Sequence, residues 1–172
     1  KNLRDRYQYW NHQGVSMIIG VDPGIDGAIA VLEDDGTYVE VFDLTTVMII
    51  SGKKKKRILD EEQIIKDLRL YASEETTVIL ERVSAMPNNG AVSMFNFGST
   101  YGFLRGVLRA ILSPPNLVTP TSWKRHHELI KQPKDSARVL AKEMYPLASL
   151  ERKKDCDRAD ALLIADYGRT LL

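Results

Sequence analysis

The chain has a single cysteine, Cys156, so it can form no internal disulfide and it carries no Cys-x-x-Cys metal pair. The expectation is a reducing compartment and any metal held by oxygen ligands. Long apolar runs are also missing. None approaches the roughly 18 residues of a membrane span, and the opening "KNLRDRYQYWNHQG" lacks the apolar centre of a signal peptide. The first residue is Lys1 rather than Met, as expected of a processed or trimmed chain. An excess of one charge is absent too: 24 Lys and Arg face 23 Asp and Glu, for a formal charge of +1. The basic residues are nevertheless clustered, at "KKKKR" (Lys53 to Arg57), "KRHH" (Lys124 to His127) and "RKK" (Arg152 to Lys154). Such patches attract phosphate without a large net charge. There is no internal repeat and no extended low-complexity segment.

What is present is ordinary for a globular chain: 172 residues, 44% hydrophobic and 27% charged, enough for one domain with a real core. Residues 1–14 show no periodicity and are expected to be a tail or arm, with one domain over 15–172. Met17 to Val21 is a short apolar run stopped by Asp22-Pro23-Gly24, and Ala28 to Leu32 is a second. The "DDGT" turn at Asp34 to Thr37 leads into "YVEVFD", which predicts three antiparallel strands. A basic loop follows. "LDEEQIIKDLRLYA" then has apolar residues at helical spacing, with Asp60 as its expected N-cap. "TTVILE" (Thr76 to Glu81) is a buried strand, and the preceding helix allows it to run parallel to the first. Asp22 and Glu81 then leave the sheet at the same edge.

The loop "RVSAMPNNGAVS" feeds a predicted long helix, "MFNFGSTYGFLRGVLRAIL", whose Gly98, Gly102 and Gly106 recur every fourth residue. Glycine costs a helix about 1 kcal/mol relative to alanine, so this stripe points to close packing, against either the sheet or a second subunit. "NLVTP" reads as a fifth strand. "TSWKRHHELI", capped by Thr121 or Ser122, "KDSARVLAKEMY" and "DRADALLIADYG" read as helices. Asp157 and Asp160, three apart, share a helix face with Ala161, Ile164 and Gly168.

Four carboxylates, Asp22, Glu81, Asp157 and Asp160, are thus carried by two strand ends and one helix start. Any one alone would be read as turn or cap chemistry. Together they would repel one another, and hard oxygen donors of this kind suit Mg²⁺ or Mn²⁺. Two such ions about 3.5–4 Å apart serve phosphodiester hydrolysis. Asp26 fits turn chemistry or outer support of Asp22.

This order of strands, acids and helices is the layout of an RNase H-like α/β fold, a five-stranded mixed sheet flanked by helices. Within it the chain resembles the RuvC family of Holliday junction resolvases, through "IIGVDPGIDGAIAVL", "VILER", "YGFLRGVL", "TPTSWK" and "DRADALLIADYG", over roughly residues 17 to 169. The basic loop after the third strand and the tryptophan beside the lysine resemble the divergent phage and plastid branches. The resemblance implies that Asp22, Glu81, Asp157 and Asp160 bind metal, as two ions of Mg²⁺ or Mn²⁺ in each active site. It also implies that Lys124 and Lys134 support catalysis beside the scissile phosphate. It implies a homodimer making paired nicks in a four-way DNA junction, in a bacterial or phage-infected cytoplasm or a DNA-containing organelle.

The DNA-contacting residues expected on this basis are Lys53, Lys54, Lys55, Lys56, Arg57, Arg82, Asn88, Asn89, Lys124 and Arg125. Met86, Phe95 and Phe97 are available to engage bases, although both phenylalanines fit a core position equally well. The adjacent His126 and His127 point in different directions on a helix, so surface positions or phosphate contacts are expected for both. Two rivals remain: a less selective nuclease acting on flaps or forks, and a junction-binding protein without catalysis. ATPase and sugar-kinase folds also open with an acid-bearing strand and glycine turn, but they need a second phosphate-binding hairpin and a longer chain.

Overall fold

A computed structural model describes residues 15–52, 54–84 and 90–172. Residues 1–14 lie outside it, as do Lys53, Met86, Asn88 and Asn89. The apolar run Met17–Asp22 is β1, the centre of a five-stranded sheet. It pairs antiparallel with β2 (Ala28–Glu33), which pairs antiparallel with β3 (Tyr38–Asp43). On its other side β1 pairs in parallel with β6 (Thr76–Glu81), and β6 in parallel with β7 (Asn116–Val118). The spatial order β3-β2-β1-β6-β7 is the expected mixed sheet.

Alternation along each strand divides the core into two layers. Met17, Ile19 and Val21 of β1, with Val78 and Leu80 of β6, pack against α1 (Glu61–Arg69) and α2 (Ala91–Ile111) through Ile64, Leu68, Leu104 and Leu108. Ile18 and Ile79 face the other way, onto α5 (Cys156–Gly168), α3 (Pro120–His126) and α4 (Ser136–Met144). The contact with α5 is close: a methyl group built on Gly20 would lie 2.3 Å from the Ala161 carbonyl oxygen. Asp60 caps α1 as expected, accepting from the Gln63 N–H at 3.1 Å. Among the described residues no helix is long and apolar enough to cross a membrane.

Four sequence expectations change. The basic segment is not a loop. Residues Lys54–Leu59 form β5, paired with β4 (Thr46–Ser51) in a separate two-stranded ribbon. Directly opposed residues share a face, so Met48 and Ile50 lie beside Arg57 and Lys55, and Ile49 beside Lys56. Met48 is 58% and Ile50 73% exposed, so the ribbon carries apolar and basic groups together in solvent.

The helix after β7 is capped by Thr119, not by Thr121 or Ser122. The Thr119 hydroxyl accepts from the Ser122 N–H, and Pro120 occupies the first helical position, where no N–H is required. The same helix stops at His126 rather than Ile130, because Glu128 adopts a left-handed φ of 57°. Finally, a methyl group at Gly98, Gly102 or Gly106 would meet nothing within 4 Å among the described residues. The glycine face of α2 does not pack against the sheet.

Candidate active site

Strand alternation also decides where the acids go. Asp22 follows Ile18 and Gly20 on one face of β1, and Glu81 follows Ile79 on the same face of β6. Both therefore face α5. That helix runs back across the sheet, with Ala161 and Ala165 against Gly20 and Gly168 against Ile18 and Ile79. Its first turn, carrying Asp157 and Asp160, is left at the edge where Asp22 and Glu81 emerge. Gly27 lets the turn after β1 close on itself, since a methyl there would lie 2.1 Å from the Asp22 carbonyl oxygen.

Burial raises all four carboxyls, and Asp22 and Asp160 are raised further by the other acids. Burial raises the Asp22 carboxyl well above the usual range, and Glu81, Asp160 and Asp157 push it further, against a backbone hydrogen bond from Gly24. Burial lifts Asp160 to about 7; Lys124 opposes the rise, while Glu81 and Asp157 add to it. Glu81 is raised by burial, against a hydrogen bond from Trp123 and the charge of Lys124. Asp157 is raised by burial and by Asp26, with Lys134 opposing. Half-buried carboxylates made hard to ionise by burial, and in Asp22 and Asp160 also by their acidic neighbours, are a donor set that a hard divalent cation fits. Asp22, Glu81, Asp157 and Asp160 are the residues that would hold it.

Lys124 and Lys134, expected beside the acids, both line a cavity of about 160 Å³ with Asp157 and Asp160. Lys124 is half-buried and lies 5.0 Å from the centre of the Trp123 ring, while Lys134 is exposed. A larger cleft of about 680 Å³ extends from Asp157 and is bordered by Arg57, Lys134, Arg152, Lys153 and Lys154. Arg57 is bound to Asp26 and Arg152 to Asp155, whereas Lys134, Lys153 and Lys154 enter no ion pair among the described residues. Asp26 thus serves the neighbouring cation and adds charge near Asp157.

Other candidates are more scattered. Lys56 donates to Asn96 at 2.7 Å, joining the ribbon to α2. Between these elements lies a second cleft of about 470 Å³, lined in part by Lys56, Arg57, Phe95, Phe97 and Phe103. Phe95 is 75% exposed and so is not core, and Phe97 is half-buried. Lys55, Arg82 and Arg125 are exposed, and the Arg82 N–H pairs with the Val118 carbonyl beside Glu81.

Two residues make contacts that the sequence does not announce. Trp123, completely buried, donates its indole N–H to Glu81 Oε2 at 2.6 Å, fixing one oxygen of that carboxylate. Its position immediately before Lys124 is the one signal in the sequence. The second is His127, whose side chain is only 5% exposed, contrary to the expected surface position. It reaches the Leu163 carbonyl at 2.9 Å because the chain turns inward after His126.

Solved structures share this architecture. The chain matches one described as "Thermus thermophilus RuvC structure" with TM-score 0.55 and 13% identity, covering 90% of this chain and 96% of that one. It matches "T. thermophilus RuvC in complex with Holliday junction substrate" with TM-score 0.50 and 14% identity, covering 88% and 91%. The fold is therefore RNase H-like, of the RuvC type. Neither a protein-family model nor a curated protein matches the sequence.

Proposed function

We propose that residues 15–172 form a structure-specific DNA endonuclease that resolves four-way junctions by paired symmetric nicks, acting as a homodimer. The reading rests on one observation: β1, β6 and α5 bring Asp22, Glu81, Asp157 and Asp160 to one sheet edge, within the fold of a protein solved on a Holliday junction. Mg²⁺ or Mn²⁺ held by these carboxylates, two ions per site, would activate the attacking water and stabilise the leaving oxygen. The rest of the work falls to the chain. Trp123 orients Glu81 by occupying Oε2, which leaves Oε1 for ligation. Lys124 and Lys134 attract the scissile phosphate and offset its growing charge. Lys55, Lys56 and Arg57 on the ribbon, with Lys54 and the neighbouring Lys53, hold a DNA arm through its phosphates; Arg82, Asn88, Asn89 and Arg125 extend that contact. Hydrolysis leaves 5′-phosphate and 3′-hydroxyl ends. The basic segment and the tryptophan relate the chain to the divergent phage and plastid resolvases.

The test compares an immobile four-way junction with linear, flap and forked DNA in Mg²⁺, using wild type and Asp22→Asn. Wild type is expected to nick the junction in symmetry-related strands, and Asp22→Asn to bind it without cutting. Faster cleavage of flaps or forks would replace this reading with that of a less selective nuclease. A wild type that binds junctions and never cuts, in Mg²⁺ or Mn²⁺, would make it a non-catalytic junction binder.

A further inference from the structure

The cleft of about 680 Å³ that opens from Asp157 is uneven in charge once its ion pairs are set aside. Five aspartates border it: Asp26, Asp43, Asp135, Asp155 and Asp157. Arginine occupies four of them. Arg57 binds Asp26, and Arg158 engages both oxygens of Asp43, with Nη2 at 2.8 Å from Oδ2. Arg138 donates to Asp135 through Nε at 2.8 Å and Nη2 at 2.7 Å. Arg152 donates to Asp155 through Nε at 2.9 Å and Nη2 at 2.7 Å. The fifth, Asp157, belongs to the acidic edge. Opposite these stand Lys134, Lys153 and Lys154, which are exposed and enter no ion pair among the described residues.

The segment that carries Lys153 and Lys154 is held in place. The two lysines open a 3₁₀ turn, Lys153–Asp155, that leads directly into α5. Asp155 is 2% exposed, and its carboxylate also accepts the Arg152 backbone N–H at 2.8 Å, which ties the two ends of the turn together. Arg152 is thereby occupied in holding the turn, while the two lysines between the partners border the cleft. Lys134 and Asp157 border this cleft and also the cavity of about 160 Å³ that Lys124 and Asp160 line, so the two spaces meet at the acidic edge.

From this geometry we infer that the cleft is the track of the DNA strand being cut, and that Lys153 and Lys154 bind its backbone phosphates beside the scissile one. The site rests on the proposed reading of the protein as a DNA nuclease. Ammonium groups without a carboxylate partner complement a run of phosphates, whereas guanidiniums already bound to aspartates have less to offer. Such contacts set the position of a strand without reading its bases. Here they also set it against the chemistry. Asp157 stands three residues after Lys154, so the turn that binds the strand is continuous with the helix that carries Asp157 and Asp160. Arg57 of the ribbon borders the same cleft, which places the strand between the ribbon and the turn.

The experiment measures binding of an immobile four-way junction by fluorescence anisotropy over a range of salt, about 50 to 200 mM. The whole chain carries Asp22→Asn and is kept in chelator, so that no cutting disturbs the titration. This parent is compared with the same protein bearing Lys153→Gln and Lys154→Gln together. A second comparison bears Lys142→Gln, the same change of charge at an exposed position of α4 outside the cleft. The slope of log affinity against log salt is expected to fall by about 0.9 for each of Lys153 and Lys154, and to stay unchanged in Lys142→Gln. An unchanged slope in the doubly substituted protein would overturn the inference. So would an equal fall per lysine in Lys142→Gln, or a parent that binds no junction. Cutting by wild type in Mg²⁺ is scored separately and tests the nuclease reading. A wild type that binds and never cuts removes that reading, while a lowered slope still places a DNA strand in this cleft.

Discussion

Replacing Trp123 with Phe would separate the role of the indole N–H from that of the ring. The bond to Glu81 Oε2 is short, at 2.6 Å, and its donor is completely buried, so water cannot take its place. A hydrogen bond to a charged group contributes about 1.5–3 kcal/mol. Loss of a partner that orients a metal ligand costs about 10–100-fold in metal affinity or activity. These magnitudes agree, since each 1.4 kcal/mol is about tenfold. The same hydrogen bond opposes the rise of the Glu81 pKa caused by burial, so the variant carboxyl should be harder still to ionise. Phe fills most of the space and costs roughly 1–2 kcal/mol in packing. The assay is a Mg²⁺ titration of junction cleavage at several pH values, with the melting temperature recorded in parallel. The expected result is a roughly 10–100-fold higher Mg²⁺ requirement, relieved in part as pH rises, with the fold retained. A lower melting temperature with an unchanged Mg²⁺ requirement would refute the reasoning and leave Trp123 a packing residue alone.

The acids make stability depend on pH. Asp160 is lifted from 3.8 to about 7, and Asp22, Glu81 and Asp157 are raised as well, so the native chain keeps protons that the unfolded chain has released. Metal-free stability should therefore fall as pH rises from about 4 to about 7. Mg²⁺ should recover it, and Asp160→Asn should flatten the slope; thermal melts in chelator, with and without added Mg²⁺ in excess, check all three. Gly20→Ala drives a methyl to 2.3 Å from the Ala161 carbonyl and should cost about 3 kcal/mol or more in urea unfolding. Lys124→Ala should lower cleavage about 10²-fold, while exposed Lys134→Ala should stay within about tenfold under single-turnover conditions. Replacing Lys55 and Lys56 together with Gln should reduce the salt slope of junction binding by about 0.9 for each phosphate left without its lysine.

The main sheet and the placement of Asp22, Glu81, Asp157 and Asp160 were legible because each rests on a local pattern. Apolar runs end in turns, and a D-x-x-D pair opens a helix. The β4–β5 ribbon was not legible, since a run of lysines has no two-residue alternation and gains its strand conformation only by pairing with Thr46–Ser51. The end of α3 was hidden for a related reason. "HHELI" continues a helical pattern, and the left-handed turn at Glu128 that sends His127 inward is set by packing against α5. The hydrogen bond from Trp123 to Glu81 spans 42 positions, a distance at which a sequence names the partners without joining them.

Those legible acids are also the ones the fold protects best. The alternation that turns Ile18 and Ile79 toward α5 turns Asp22 and Glu81 the same way. A one-residue slip of β1 against β6 would carry the acid to the opposite face, toward α1 and α2, and set a larger side chain where Gly20 lies close against α5. Register at this edge is thus enforced by the core, whatever the four carboxylates cost in mutual repulsion. The lysines have no such guarantee. Lys124 depends on a seven-residue helix seated by Trp123, and Lys134 on a connection between α3 and α4. Change in the reactive geometry should therefore enter through α3 and the segment that follows it.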